Sequence, residues 1–199
     1  MIIKTFKGGY DSNFTYVVHD ATDAVIVDPA VPASDVLTYI RNQKLKVHAV
    51  IILHSHFDHL VDLPLYLSQL IPIWGHQSIQ LPVDRQLNDK EEFSIGQLQF
   101  KVIHTPGHRY DCICLLVDKH LFTSDTLFVG SCGRVDFPGS DSQLMAETLE
   151  KLRQLPNNII IYPGHDYGKT PTSTLGNEKK SNPFLVMSKE EFGGLNREI

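Results

Sequence analysis

The chain has 199 residues, 42% of them hydrophobic and 21% charged, an ordinary balance for a globular protein long enough to bury a sizeable core. Its formal net charge is −5 and no Lys/Arg cluster interrupts it, which argues against nucleic acid or an anionic membrane as partner, since positive charge holds both. A small-molecule substrate is expected instead.

No Pro/Gly/Ser-rich linker, charge block or fixed-period repeat divides the sequence, so residues 1–199 read as one domain. The opening Met1-Ile2-Ile3-Lys4-Thr5-Phe6-Lys7 lacks a long apolar core and a small-residue cleavage site, and no apolar run approaches a membrane span, so a soluble cytoplasmic protein is expected. Cys112, Cys114 and Cys132 are odd in number and form no CxxC pair. The first two project to one face of a strand pattern, so the three read as buried reduced thiols rather than a disulfide or a thiolate zinc site.

In chain order, Ile2 to Phe6, Phe14 to Val18 and Ala24 to Val27 are short β-rich runs separated by Gly8-Gly9 and polar turns, an opening meander that Asp28-Pro29 ends. Ser34 is placed to cap a helix whose apolar face carries Val36, Leu37 and Ile40, and Val47 to Leu53 follows as a continuous apolar strand. The run His54-Ser55-His56-Phe57-Asp58-His59 then sits in a strand-to-helix turn, ahead of a helix whose stripe is Leu63, Leu67 and Leu70. Leu98 to Ile103, Ile113 to Val117, Leu121 to Thr123 and Ile159 to Tyr162 read as strands and Leu144 to Leu155 as an amphipathic helix. Two strand-rich halves with interspersed helices predict sheets packed together and covered by helices. The tail from Thr172 is mixed.

Chemistry concentrates in the HxHxDH run, which supplies three imidazoles and a carboxylate within six residues, donors that suit zinc, iron or manganese. With 10 His in 199 residues, a chance match is on the order of one in a thousand. Three further donors each follow a strand: His108 after Thr105-Pro106-Gly107, Asp125 after Phe122-Thr123-Ser124, and His165 after Tyr162-Pro163-Gly164. Loops at one edge of a packed sheet are where distant ligands can meet, and the Pro-Gly turns fix the backbone that presents two of them. Asp28 is a candidate support for a ligand imidazole, or a turn residue satisfying its own backbone. Trp74 reads as a half-buried aromatic, and His19, His48, His76, His104 and His120 carry no assigned role.

On these motifs the whole chain resembles the metallo-β-lactamase superfamily, most closely its hydroxyacylglutathione hydrolase (glyoxalase II) and persulfide dioxygenase branches. The resemblance implies an α/β fold, the four-layer αβ/βα sandwich, and two divalent metal ions, zinc before iron or manganese. By it His54, His56 and His108 hold one ion, Asp58, His59 and His165 the other, and Asp125 bridges them, with His54, His56, Asp58 and Asp125 forming the catalytic centre. The implied activity is a thioesterase acting on S-D-lactoylglutathione or a related thioester through a metal-bridging hydroxide, with the thiolate of an ordinary thiol leaving. Arg134, in Cys132-Gly133-Arg134, and Tyr167, two residues after the last metal His, fall where the family contacts glutathione. On residue chemistry, Arg134 either pairs with a substrate carboxylate or bonds neighbouring carbonyls. The oligomeric state stays open, a homodimer included.

The chain also departs from the family pattern. Arg109-Tyr110-Asp111-Cys112 replaces small residues after His108 and is expected to narrow the pocket, and Ser124 stands where Gly is usual before the bridging Asp. Only 34 residues follow His165, where glyoxalase II proper has a helical extension that helps bind glutathione, so glutathione itself is in question. Phe57 and Leu127-Phe128-Val129-Gly130-Ser131 favour the hydrolase branch. The alternative is a persulfide dioxygenase with one iron on His54, His108 and Asp125, oxidising glutathione persulfide. A non-catalytic module is disfavoured because all seven ligands are retained, and a nuclease because no basic surface or inserted domain is present.

Overall fold

Two six-stranded sheets form the centre of the structure, a computed structural model that describes residues 1–194. The first holds β1 (Ile2–Gly8), β2 (Asn13–His19), β3 (Asp23–Val27), β4 (Lys46–Ile52), β5 (Ile73–His76) and β6 (Arg85–Leu87) side by side in chain order. The opening meander is antiparallel. From β3 onward the strands run parallel, with α1 (Ala33–Gln43) crossing from β3 to β4 and α2 (Leu63–Ser68) lying between β4 and β5.

The second half contains β7 (Glu92–Ile95), β8 (Leu98–His104), β9 (Ile113–Val117) and β10 (His120–Ser124), a two-stranded ribbon of β11 (Leu127–Phe128) and β12 (Ser131–Cys132), and α3 (Ser142–Arg153). Then come β13 (Ile160–Pro163), β14 (Ser173–Thr174), α4 (Leu175–Ser181), α5 (Pro183–Val186) and α6 (Lys189–Gly193). Its sheet order is β14-β13-β10-β9-β8-β7, with β10 and β13 parallel.

Alternation along each strand divides the apolar side chains into three layers of contact. Tyr16, Val18, Ala49, Ile51 and Leu53 of the first sheet meet Phe100, Val102, Ile113, Leu115 and Phe122 of the second in the central core. The neighbours in sequence, Val17, Val50 and Ile52, face outward onto Val36 and Ile40 of α1 and Tyr66 of α2. Likewise Ile103, Cys114, Leu121 and Ile161 face Met145, Leu149 and Leu152 of α3 and Phe192 of α6. Helix, sheet, sheet, helix is the resulting order, the expected αβ/βα sandwich. β4 is apolar throughout its buried end because both of its faces are covered.

Two local expectations are overturned. Ser34 lies inside the first turn of α1 and does not cap it. The N-cap is Pro32, whose side chain offers no acceptor, and the Ala33 N–H donates instead to Asp62 Oδ2 at 2.8 Å, a tertiary partner 29 residues away. The stripe of α2 fails because the helix ends at Ser68, so Leu70 falls beyond it and is 90% exposed, Leu67 is also exposed, and the buried residue is Tyr66. Strands β5, β6 and β7 carry too few residues for a periodic signal, β6 and β7 lying at the sheet edges, and the mixed tail forms β14 and α4 to α6. No helix among the described residues is long and apolar enough to cross a membrane.

Candidate metal centre

The seven expected donors converge at one edge of the sandwich. β8 and β9 are antiparallel, as are β9 and β10, while β10 and β13 are parallel, so the carboxyl ends of β8, β10 and β13 share an edge. His108, Asp125 and His165 follow those three ends. β4 of the other sheet is tied to the same edge by the Ile113 N–H donating to the Leu53 carbonyl at 2.9 Å, and β2 by the Phe14 N–H donating to the Gly164 carbonyl at 2.7 Å. Beyond β4 the run from His54 turns through a short 3-10 helix, Phe57–His59, which brings His54, His56, Asp58 and His59 around one point.

Close approach explains both Pro-Gly turns. Gly107 has φ +145° and lies against the backbone of Met145, where any side chain would collide. Gly164 has no unusual φ, but a Cβ there would strike Asp125 Oδ1 and the His59 ring, so its bare backbone makes room for the donors themselves.

His54, His56, His108 and Asp125 offer donor atoms all within 4.8 Å of one another, as do Asp58, His59 and His165. In the first group His108 Nε2 is 2.8 Å from His56 Nδ1, with Asp125 Oδ2 3.6 Å from His108 Nε2 and 3.9 Å from His54 Nε2. In the second, His59 Nε2 is 3.1 Å from His165 Nε2, and Asp58 Oδ2 is 3.5 and 3.4 Å from these two. Asp125 reaches this group as well, Oδ1 to His59 Nε2 at 3.2 Å and Oδ2 to His165 Nε2 at 3.3 Å. Ligands about 2.0–2.1 Å from a tetrahedral ion lie about 3.3 Å apart, within the spread of these separations.

Four of the five imidazoles are fixed from behind, His56 being the exception, with its Nδ1 facing His108 Nε2. His59 Nδ1 faces Asp28 Oδ2 at 3.2 Å, His54 Nδ1 faces the Ser124 hydroxyl at 3.1 Å, and His108 and His165 donate from Nδ1 to the carbonyls of Arg134 and Asp11, each at 2.8 Å. This leaves Nε2 of all four turned inward as a lone-pair donor. Asn13 Nδ2 donates to Asp58 Oδ2 at 2.9 Å. His54 Nε2 and Asp125 Oδ1 are buried without a hydrogen-bond partner, an arrangement that costs free energy unless a cation completes it. The donor set therefore fits divalent ions.

Electrostatics agree. Burial, and then the nearby imidazoles, push His54 well below the usual range, His56 down to about 4, and His108 down, so these rings are neutral at pH 7. For His59 and His165 burial again pushes down, but Asp125, joined by Asp28 at His59 and by the Asp11 carbonyl at His165, outweighs it and holds both up, while burial of Asp125 is outweighed by the surrounding imidazoles, His59 and His54 foremost, which hold it well down.

A cleft of about 460 Å³ opens above the donors. Arg134 and Tyr167 line it, as expected, but their partners were not foreseen. The Arg134 guanidinium grips Asp136, with Nε 2.8 Å from Oδ1, and lies 4.3 Å from the centre of the Phe137 ring; it neither bonds backbone carbonyls nor stands free. Tyr167 stacks on His165 and donates its hydroxyl to Asp11 at 2.5 Å. The expected narrowing by Arg109 and Tyr110 does not occur: Arg109 turns to the buried Asp111, Tyr110 packs edge-on to His104, and neither lines the cleft.

Asp28 takes the supporting role, accepting from His59, from the Ser124 hydroxyl at 2.5 Å and from the Leu53 N–H at 2.8 Å. Asp28 and Ser124 both have positive φ, +49° and +44°. Cys112, Cys114 and Cys132 are buried and free, and burial pushes all three thiols up, Cys114 to about 11 and Cys132 to about 12. Trp74 packs half-buried against Phe93 and Arg85, and the unassigned histidines bond nearby groups, such as His19 to Tyr39. Asn13, Asp11 and the aromatic wall formed by Tyr10, Phe128 and Phe137 were missed, since no spacing in the chain links them to the donors.

A family model described as the metallo-beta-lactamase superfamily matches residues 8–82 and 74–165. The probable polyketide biosynthesis zinc-dependent hydrolase PksB of Bacillus subtilis is 28% identical, spanning 96% of this chain and 88% of that protein. A hydroxyacylglutathione hydrolase of Psychromonas ingrahamii is 32% identical over 88% and 82% respectively, and the mitochondrial persulfide dioxygenase ETHE1 of Bos taurus 32% over 90% and 74%. The crystal structure of ETHE1 from Myxococcus xanthus superposes with a TM-score of 0.90 at 30% identity, covering 96% of this chain and 88% of that one.

Proposed function

This chain belongs to the metallo-beta-lactamase superfamily, and from that premise we propose that it is a dinuclear metal-dependent thioester hydrolase, with S-D-lactoylglutathione as the reference substrate. The observation that carries the reading is the meeting of two donor clusters at Asp125, with His54 Nε2 and Asp125 Oδ1 buried and unpaired. His54, His56 and His108 would hold one ion, Asp58, His59 and His165 the other, and Asp125 both. Zinc is the first assignment, and iron or manganese suits the same donors. Bound ions would supply a water that ionises near neutral pH and an electrophile for the thioester carbonyl.

The chain's own residues do the rest. Asp28, Ser124 and the carbonyls of Arg134 and Asp11 lock the imidazoles of His59, His54, His108 and His165 so that these need no reorientation during turnover. Asp58, steadied by Asn13 and facing the cleft, accepts a hydrogen bond from the attacking water and orients it. Arg134 and Tyr167 form part of the wall that the substrate touches. Water adds its oxygen to the acyl carbon, the C–S bond breaks, and a thiol with an ordinary pKa of about 8.5 leaves as thiolate without a dedicated acid.

Similarity to the persulfide dioxygenases favours one second reading, a single iron on His54, His108 and Asp125 acting on glutathione persulfide. Elemental analysis of protein purified without chelator, with ferrous iron protected, separates the two. About two ions per chain together with hydrolysis of S-D-lactoylglutathione or another thioester support the hydrolase. Close to one iron, with oxygen uptake on glutathione persulfide and no thioester cleavage, would overturn it.

A further inference from the structure

The walls of the cleft have a character of their own. Tyr10 and Phe57 are 72% and 73% exposed and meet edge to face at 5.5 Å, while Tyr167, half exposed, meets Phe128 at 5.1 Å. Phe137, also exposed, stands edge-on to His56 and His108 at 5.9 and 6.1 Å. A single exposed aromatic needs no explanation, but four exposed rings and the buried Phe128 gathered on one cleft above the donors make a surface suited to an apolar ligand.

The polar groups of the same walls are already engaged. Among the described residues Arg134 is the one Lys or Arg that lines the cleft, and Asp136 pairs with it. The Tyr167 hydroxyl is committed to Asp11, which adds a carboxylate to those of Asp58 and Asp125. Glutathione carries two carboxylates and an ammonium, and unpaired cations are the strongest partners for its carboxylates. Here an incoming carboxylate meets Asp11 and an arginine already paired with Asp136, so it gains less than from a free cation.

Building on the thioester hydrolase reading, we propose that the cleft takes thioesters whose thiol portion is uncharged and aromatic or alkyl, in preference to glutathione thioesters. The rings of Tyr10, Phe57 and Phe137 bury that portion while the acyl carbon sits over the donors. Hydrolysis then yields the carboxylic acid and an apolar thiol.

The test compares S-benzyl thioacetate with S-acetylglutathione on metal-reconstituted protein, since the two share an acyl group and an alkanethiol leaving group. kcat/KM for the benzyl compound is expected to be at least about tenfold higher, and Phe57→Ala to narrow the gap through KM. Binding of two thioethers that cannot be hydrolysed, benzyl methyl sulfide and S-methylglutathione, is followed in parallel by saturation-transfer NMR, with benzyl methyl sulfide expected to bind more tightly. Preference for S-acetylglutathione overturns the proposal and leaves the thioesterase reading intact. No hydrolysis of either ester, with benzyl methyl sulfide still the tighter binder and its binding weakened in Phe57→Ala, overturns the thioesterase reading and keeps the preference of the cleft. No hydrolysis and no such binding overturns both.

Discussion

Asp28→Asn isolates the charge behind the metal centre from everything else at that position. The carboxylate is 2% exposed, with Oδ1 accepting from the Leu53 N–H at 2.8 Å and Oδ2 from the Ser124 hydroxyl at 2.5 Å and His59 Nδ1 at 3.2 Å. An amide of the same shape must turn its NH2 to one side or the other. Facing Leu53, it sets donor against donor on the backbone; facing His59, it does so on the imidazole, unless that ring moves its proton to Nε2 and loses the lone pair aimed at the cleft. Asn tolerates the +49° φ as well as Asp does, so backbone strain does not confuse the result. One hydrogen bond to a buried charged group is worth about 1.5–3 kcal/mol, and loss of such a support typically weakens metal binding roughly 10–100-fold. Urea unfolding of the metal-free protein should register the first and competition against a chelating indicator the second. Metal affinity within about twofold of wild type would refute the assignment of Asp28 as support of a metal-holding imidazole, and a loss of stability alone would reduce Asp28 to a turn residue.

Asp125→Ala should remove most bound metal and abolish turnover, because both donor groups depend on it; retention of full metal content and activity would sink the site assignment. Ser124→Ala and Ser124→Gly both delete the hydroxyl that links Asp28 to His54, but only alanine keeps a Cβ at φ +44°. The glycine variant should therefore unfold at higher urea, with a difference of about 1 kcal/mol, and equal midpoints would show that the left-handed backbone carries no strain. Gly164→Ala drives a Cβ into Asp125 Oδ1 and the His59 ring, so it should lower both thermal stability and the number of ions bound, as measured by elemental analysis. Unchanged ion content would mean that the donors relax without losing their geometry.

Much of the fold was legible because the signals are local. The meander to Val27, the strand before His54, the strands ending near His104, Ser124 and Pro163 and the helix Ser142–Arg153 all carry apolar periodicity long enough to read. Where periodicity was short it misled: Leu63, Leu67 and Leu70 suggested a stripe, yet the helix stops at Ser68 and Tyr66 is the residue buried. Ser34 had the chemistry of a cap, and Asp62, from a distant turn, satisfied the helix end instead.

By itself the sequence determined which side chains could form the centre, since donor type and a place just past a strand end are both properties of short segments. Only the tertiary structure decided which atom of each donor faces the cleft, because that depends on partners far apart in the chain: Asp28 lies 31 residues from His59 and 96 from Ser124, and His165 Nδ1 finds the carbonyl of Asp11 154 residues away. It also decided the character of the cleft, pairing Arg134 with Asp136 and bringing Tyr10 against Phe57. Burial and long-range hydrogen bonding act on distances in space, and no spacing along the chain records them.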